Sequence, residues 1–226
     1  GAGDTEKTAA DQLTALFKEN GNAGGNGEAF EILIGVCDSK GKVGDVELTD
    51  ATNLKNLPNK EQAYLVRPVG QNRLVLTALD DRGVYYAVQT LRQLLESRFD
   101  KGTVTIPLVS VTDWPDIAKR GEWGGNICAT DEMLWMARHK MNLIQYEVVW
   151  SIGDDGRGRI SRIKQPAKYA PARIQEQVAG RSEKEMRAFG NRHAIHMDPS
   201  LMHYSLLGER TRIFDVYPEF KEKVKP

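Results

Sequence analysis

The 226-residue chain lacks several features that would assign it quickly to a class of protein. Its 31 Lys and Arg residues balance 31 Asp and Glu residues, so it has none of the basic excess that nucleic-acid binding requires. No apolar run approaches the roughly 20 residues of a membrane span. The only two cysteines, Cys37 and Cys128, lie in different predicted domains, and we expect two free thiols rather than a disulfide framework. These absences leave a globular protein with no net charge. Its cysteines do not indicate a cellular compartment.

Signature motifs for common chemistries are also missing from the sequence. The chain has no phosphate-binding loop, dinucleotide fingerprint, Ser/His/Asp order or internal repeat. The glycine-rich stretch 21–27 follows no strand and precedes no Lys-Ser/Thr pair, so we predict a turn. His193 and His196 are three apart in a predicted strand and would point to opposite faces. We therefore expect neither a metal nor a cofactor.

The first half of the sequence predicts an α+β domain. Residues 5–19 and 83–99 have apolar positions at helical spacing. The predicted strands are 30–36, whose nearly continuous apolar run indicates cover on both faces, the hairpin 63–69 and 73–79, and a final strand, 103–109. This order favours an antiparallel sheet with two helices on one face.

The second half changes to a β/α pattern. Predicted strands at 120–123, 141–150 and 193–197 alternate with helices that begin near Thr130 and Ser182. Two or three such units fit the start of a (β/α)8 TIM-type barrel, which needs about 250 residues when complete. We therefore expect a small α+β domain at 1–115 and an incomplete barrel at 116–226. Its last parallel strand would present an open edge, through which the chain could self-associate.

Four stretches of sequence resemble a known family. They are 81–95 (DRGVYYAVQTLRQLL), 106–116 (IPLVSVTDWPD), 119–121 (KRG) and 136–144 (MARHKMNLI). Their succession resembles the junction between the small N-terminal domain and the catalytic barrel of family 20 glycoside hydrolases, the exo-acting β-N-acetylhexosaminidases and their relatives. A related small domain also precedes the barrel in α-glucuronidases and family 84 enzymes. The resemblance implies a hydrolase of terminal sugars in a secreted or periplasmic setting.

Candidate sugar-binding residues follow from the predicted barrel, because function in such barrels lies at the carboxyl ends of the strands. A carboxylate accepts hydroxyl hydrogens and an aromatic ring packs on the apolar face of a sugar. The residues selected in this way are Glu122, Trp123, Glu147, Trp150, Asp198 and His203, and Arg120 could also bind a sugar hydroxyl. For Arg120, pairing with Asp113 or Asp116 at the domain junction is an equal alternative.

The catalytic residues are not identified by the sequence. The resemblance implies an Asp followed by a Glu on the fourth barrel strand, with the Glu as general acid and base and the Asp orienting the acetamido group of the substrate. Asp131-Glu132 has the right composition but opens a predicted helix, where negative charge favours the helix dipole. We therefore expect this chain alone to be inactive.

The strand ends also depart from the family pattern. Gly125 and Cys128 stand where an Asp and a sugar-binding Arg would fall, and Gln145-Tyr146-Glu147 replaces a His-x-His. Three hypotheses remain open: a β-N-acetylhexosaminidase-like glycosidase fragment, a glycosidase for a uronic acid or another unacetylated sugar, and a non-catalytic glycan-binding module on a degenerate barrel.

Overall fold

The computed structural model describes residues 3–20, 30–100, 102–123, 129–152, 154–163, 171–179, 181–200 and 218–220. The chain divides into two compact units. The first contains residues 1–120 with 138–140 and 192–194, and the second contains 121–137, 141–191 and 195–226.

The first unit is a sheet with helices packed on it. Its helices are α1 (Asp4–Glu19), α2 (Asp81–Leu95) and a 3-10 helix at Thr49–Asn56. Its strands are β1 (Glu31–Val36), β2 (Lys42–Val43), β3 (Val46–Glu47), β4 (Tyr64–Pro68), β5 (Arg73–Ala78), β6 (Phe99–Asp100), β7 (Thr103–Val104) and β8 (Val111–Asp113). The predicted hairpin is β4–β5, and both predicted helices are present.

The main sheet of this unit has the strand order β1-β5-β4-β8. The pairings of β5 with β4 and of β4 with β8 are antiparallel, whereas β1 runs parallel to β5. The expected antiparallel sheet is therefore mixed. Parallel pairing is possible because β1 and β5 are not consecutive in the chain. The β2–β3 hairpin, the 3-10 helix and β4 lie between them in sequence, and this connection lets β5 run in the same direction as β1.

Both faces of β1 have neighbours, but the cover that its continuous apolar sequence predicted is only partial: Ile32, Leu33 and Ile34 are half-buried and Val36 is 39% exposed. Ile32 and Ile34 lie beside α1, which packs on α2. On the other side, Leu33 packs against a buried cluster that the β2–β3 hairpin and the 3-10 helix supply. Helix α2 begins where the Asp80 side chain accepts a hydrogen bond from Arg82 N at 3.1 Å, as an N-cap does. Its buried stripe includes Tyr85, which is fully buried.

The predicted final strand at 103–109 is wrong. Only Thr103–Val104 is a strand, and it pairs with β6 rather than with the main sheet. Pro107 has no N–H to donate to a ladder, and Val109 N donates back to Pro107 O at 3.0 Å, which forms a turn. The last strand of the main sheet is instead β8, which pairs with β4 through Val111, Thr112 and Asp113.

The second unit is built from β/α units. Its strands are β9 (Gly121–Trp123), β10 (Leu143–Ile152), β11 (Gly158–Ile163) and β12 (His196–Ser200). Its helices are α3 (Thr130–Arg138), α4 (Ala172–Val178), α5 (Glu183–Arg192) and a 3-10 turn at Pro218–Phe220. Strand β10 pairs in parallel with β9 and β12, and β11 pairs with β10 antiparallel. Within the described residues these strands form no closed barrel.

Helices α3 and α5 end in the same way. Met141 N donates to Met136 O, and Ile195 N donates to Gly190 O, each at 2.9 Å. The residue before each donor is left-handed: Lys140 has φ 57° and Ala194 has φ 60°. This is the Schellman termination of a helix. Because Ala194 is left-handed, the predicted strand 193–197 is wrong at its start, and His193 lies outside β12.

None of the helices in the described ranges has the length and apolar character that crossing a membrane would require.

Candidate functional site

The parallel strands of the second unit bring several candidate residues into register. Strand β10 lies between β9 and β12, so residues paired with one β10 position form a row across three strands. Paired residues in a sheet point to the same face, and neighbouring strands are about 4.8 Å apart. Two adjacent rows contain the candidates whose side chains the structure describes, and the rows face opposite sides of the sheet. Trp123 is the last residue of β9, whereas Gln145 lies inside β10 and Asp198, predicted to follow its strand, lies inside β12.

The first row contains Trp123, Gln145 and Asp198. Gln145 pairs with Trp123 on one side and with Asp198 on the other. The Trp123 side chain is 54% exposed, Gln145 is exposed and Asp198 is half-buried. An indole ring, an amide that both donates and accepts, and a carboxylate therefore stand side by side. This set can contact the apolar face and the hydroxyl groups of one sugar ring.

The second row places Glu122 on the other face of the sheet. Glu122 pairs with Ile144, which pairs with Met197, and both of these partners are buried. This face is covered by helices: Tyr146, two residues after Ile144, donates from its hydroxyl to Glu183 Oε1 of α5 at 2.7 Å. Glu122 is exposed at its edge of the sheet. The structure therefore brings Trp123 and Asp198 together and keeps Glu122 apart from them.

Three further candidates lie partly or wholly outside the described residues. Glu147 and Trp150 belong to β10, where Glu147 pairs with Ser200 and Trp150 pairs with Ile160, and their side chains are not described. His203 lies outside the described residues. Their roles at the strand ends stay predictions.

Arg120 binds backbone oxygens of the first unit. Its Nε and Nη2 donate to Lys140 O at 3.2 and 2.7 Å, and its Nη1 donates to Ile117 O. The guanidinium also lies over the Tyr86 ring, 5.8 Å from the centroid, which is a cation–π distance. These contacts hold the segment 117–120 against Lys140. They favour a role for Arg120 in positioning this segment. Such a role is compatible with both predictions for Arg120, which are sugar binding and pairing with Asp113 or Asp116.

A polar cluster in the first unit was not predicted from the sequence. Tyr64 of β4 donates to Asp113 Oδ2 of β8 at 2.5 Å and accepts from Lys140 Nζ at 2.6 Å. Lys140 Nζ also lies 3.2 Å from Asp113 Oδ2. Because the Tyr64 hydrogen is used on Asp113, the Thr90 hydroxyl of α2 donates to the Tyr64 oxygen, at 2.5 Å. We call Tyr64, Thr90, Asp113 and Lys140 the polar cluster.

Burial and charge shift the pKa values of the polar cluster. Burial, followed by the hydrogen bond to Asp113, raises the pKa of Tyr64 far above its ordinary value, so Tyr64 stays a neutral donor. Burial alone would raise the pKa of Asp113, but the Tyr64 hydrogen bond and the Lys140 charge outweigh it and lower that pKa. Burial lowers the pKa of Lys140, against the opposing charge of Asp113. Asp113 is therefore an anion at neutral pH.

Metal binding receives no support from the described part of the chain. It holds no group of three or more His, Cys, Asp or Glu side chains placed to bind an ion. Of the cysteines, Cys37 is a buried free thiol whose Sγ lies 3.3 Å from Ala78 O, and Cys128 lies outside the described residues.

Comparison with known proteins identifies the class of the first unit. Residues 3–114 match the domain described as "Glycosyl hydrolase family 20, domain 2". The resemblance to this family is therefore confirmed, and the matched segment ends one residue after β8.

Solved structures share the fold at low sequence identity. A glycoside hydrolase family 20 β-N-acetylglucosaminidase matches with a TM-score of 0.52 and 18% identity, over 94% of this chain and 40% of that one. The Streptomyces plicatus N-acetyl-β-hexosaminidase matches with a TM-score of 0.51 and 18% identity, over 86% and 39%. A GH138 enzyme targeting pectin rhamnogalacturonan II matches with a TM-score of 0.51 and 14% identity, over 89% and 24%. The chain thus spans well under half of each.

Proposed function

We propose that this chain supplies the small domain and the first barrel strands of a glycoside hydrolase that removes terminal sugars from glycans, in the manner of β-N-acetylhexosaminidases. One observation carries the proposal. The family 20 domain 2 at residues 3–114 is followed at once by parallel strands, as in a family 20 enzyme. The row of Trp123, Gln145 and Asp198 supports sugar binding on that face of the sheet.

The proposed chemistry is that of glycoside hydrolysis. A general acid protonates the leaving oxygen while positive charge develops on the sugar ring. In this scheme Asp198 accepts hydroxyl hydrogens, Gln145 binds a neighbouring hydroxyl or carbonyl, and Trp123 packs on the ring. Glu147, Trp150 and His203 are proposed to extend the same site. Since the chain has no assigned catalytic carboxylate pair, we propose that it binds sugar but does not cleave it by itself.

A second candidate function is hydrolysis of an unacetylated sugar. The GH138 enzyme targeting pectin rhamnogalacturonan II fits this chain about as well as the family 20 enzymes do. In addition, Gln145-Tyr146-Glu147 replaces the His-x-His of the family pattern. Either substrate implies a carbohydrate partner, no cofactor, and the secreted or periplasmic setting that the resemblance suggests.

The experiment compares carboxylate variants in the full-length parent protein. Asp198→Asn removes a charged hydrogen-bond acceptor from the proposed sugar, so we expect kcat/KM to fall by about 10- to 100-fold. Glu122→Gln alters the other face of the sheet and is expected to change kcat/KM less. Glu176→Gln, an exposed change on α4, is the matched control. A normal Asp198→Asn enzyme with an impaired Glu122→Gln enzyme would contradict the proposed site.

A further inference from the structure

A cavity lies within the first unit, beside the polar cluster. Its volume is about 380 Å³, which falls in the range of roughly 300–1,000 Å³ that small-molecule sites occupy. The lining residues that matter here are Asp113, Trp114, Asp116, Ile117, Arg120 and Lys140. All of them belong to the first unit, so the cavity does not depend on the strand ends of the second.

Lys140 supplies a fixed donor to this cavity. It has φ 57°, a left-handed conformation that glycine adopts without cost and a side chain does not. The backbone therefore gives no reason for a lysine at this position. Its ammonium donates to Tyr64 and Asp113, which uses two of its three hydrogens. Among the described residues no other acceptor is bonded to Lys140, so the third hydrogen can serve a ligand.

The wall of the cavity combines apolar surface with carboxylates. The Trp114 side chain is 37% exposed and Ile117 is 67% exposed, although both are large apolar residues. Asp113 keeps nearly half of its side chain accessible, and Asp116 is exposed. An indole face beside carboxylates and an ammonium is the combination that binds a ring with one apolar face and several hydroxyl groups.

The charges of the lining residues narrow the class of ligand. With His139, which also lines the cavity, counted as neutral, Lys140 and Arg120 are matched by Asp113 and Asp116, so the cavity has no excess of positive charge for a phosphate, a sulfate or a uronic acid. An anionic ligand would also have to compete with the Asp113 carboxylate for the Lys140 ammonium. A neutral ring with hydroxyl groups meets no such penalty.

We propose that this cavity is a saccharide-binding subsite of the small domain, with the Trp114 ring under the sugar and Lys140, Asp113 and Asp116 on its hydroxyl groups. The ligand class follows from the cavity itself, so the inference does not require that the parent protein cleaves glycans. It adds a second place at which a glycan chain can be held.

The test is isothermal titration of the 226-residue chain with the β-1,4-linked trimer of N-acetylglucosamine and, separately, with cellotriose. We expect saturable binding of at least one, with a Kd on the order of 1 mM. Trp114→Ala and Lys140→Met should each weaken binding at least tenfold. Trp135→Ala, which removes another half-exposed indole, on α3, is the matched control and should leave the Kd unchanged.

Two further variants keep the test decisive. If Trp114→Ala or Lys140→Met unfolds the chain, Asp116→Asn replaces it, because Asp116 is exposed and its loss should weaken binding without affecting the fold. Asp198→Asn separates this subsite from the proposed strand-end site. No saturable binding by the unmodified chain would overturn the inference. Binding that Asp198→Asn abolishes and Trp114→Ala leaves intact would also overturn it, while supporting the proposed function.

Discussion

At the scale of single residues, the polar cluster links three elements of the first unit through one phenol. Tyr64 of β4 contacts Thr90 of α2 and Asp113 of β8, and Lys140 binds both Tyr64 and Asp113. A partly buried ammonium needs this carboxylate, since removal of one partner leaves the other charge poorly solvated. The cluster therefore contributes to stability as well as lining the cavity.

Replacing Asp113 with Asn should destabilise the chain by about 1–2 kcal/mol, a value reduced because the carboxylate is nearly half exposed. The variant loses the charge that stabilises the Lys140 ammonium and a strong acceptor for Tyr64. Urea denaturation followed by circular dichroism measures the change. Asp116→Asn is the control, because it alters an exposed carboxylate three residues away and should leave the midpoint unchanged.

The effect of Asp113 should also depend on pH. Its pKa is lowered in the folded chain, so its contribution is fully present above the unfolded pKa, about 3.9, and is lost as pH falls through the folded pKa. We expect the stability difference between the unmodified chain and Asp113→Asn to be constant from pH 5 to 7 and to shrink below about pH 4. A difference that grows on acidification would contradict this account of the cluster.

At the scale of elements, α2 approaches the sheet more closely than a side chain would allow at one position. A Cβ on Gly83 would lie 2.5 Å from Ala63 O and 2.6 Å from Ala78 Cβ, that is, against β5 and the residue before β4. Close approach of backbones is a common reason for glycine inside a helix. Gly83 thus sets the depth at which α2 buries its apolar stripe.

Gly83→Ala should destabilise the chain by about 1–3 kcal/mol, because overpacking outweighs the gain of roughly 1 kcal/mol from alanine in a helix. Gly190→Ala in α5 is the comparison. Its Cβ would lie 3.1–3.2 Å from its nearest neighbours, two of which are flexible methionine atoms, so we expect a much smaller change. Urea unfolding midpoints measure both, and equal effects would show that the Ala63 and Ala78 contacts do not govern α2.

The sequence predicted elements better than it predicted pairings. The helix-spaced apolar residues of α2 predicted both the helix and its buried face, because local periodicity reports burial directly. The run 30–36 predicted its strand but overstated how deeply the strand is buried. The strand 103–109 failed, since Pro107 disrupts a ladder that β-branched neighbours otherwise favour. The parallel pairing of β1 with β5 was missed because it depends on strands distant in sequence.

The candidate site was predictable only in part, for the same reason. Alternation along one strand does not tell which residue of the next strand lies beside it. Asp198 and Glu122 were chosen as strand-end carboxylates, but the register with Ile144 and Gln145 decides which face each one occupies. Gln145 was not a predicted site residue, and only the register of β10 with β9 and β12 places it between Trp123 and Asp198. Lys140 was not predicted as a site residue, because neither its left-handed φ nor its contacts with Tyr64 and Asp113 follow from a local sequence pattern.

The edge of the second sheet carries a prediction of its own. Among the described strands, β12 pairs only with β10, so within that part of the chain its other side is an edge. Unpaired strand edges favour association with another chain. We predict that the 226-residue chain forms dimers or larger species at concentrations near 100 μM, on the order typical for aggregation-prone open edges. Sedimentation velocity measures this, and a strictly monomeric chain would contradict it.

At the scale of the whole molecule, the chain joins a segment that matches family 20 domain 2 to a sheet built from β/α units. Each unit has its own sheet and its own proposed sugar contact: the cavity beside Lys140 in the first, and the row of Trp123, Gln145 and Asp198 in the second. The chain spans 24% to 40% of the solved structures it resembles, and we propose that the catalytic pair lies in a longer parent protein.

The most direct test of the central claim is hydrolysis of a panel of chromogenic glycosides by the 226-residue chain and by its full-length parent. The account predicts that the parent releases chromophore from one class of terminal glycoside, with N-acetyl-β-glucosaminide first, and that the chain alone releases none. Cleavage of an unacetylated glycoside instead would select the second candidate function. No cleavage of any glycoside by the parent, or cleavage at an enzymic rate by the chain alone, would contradict the account.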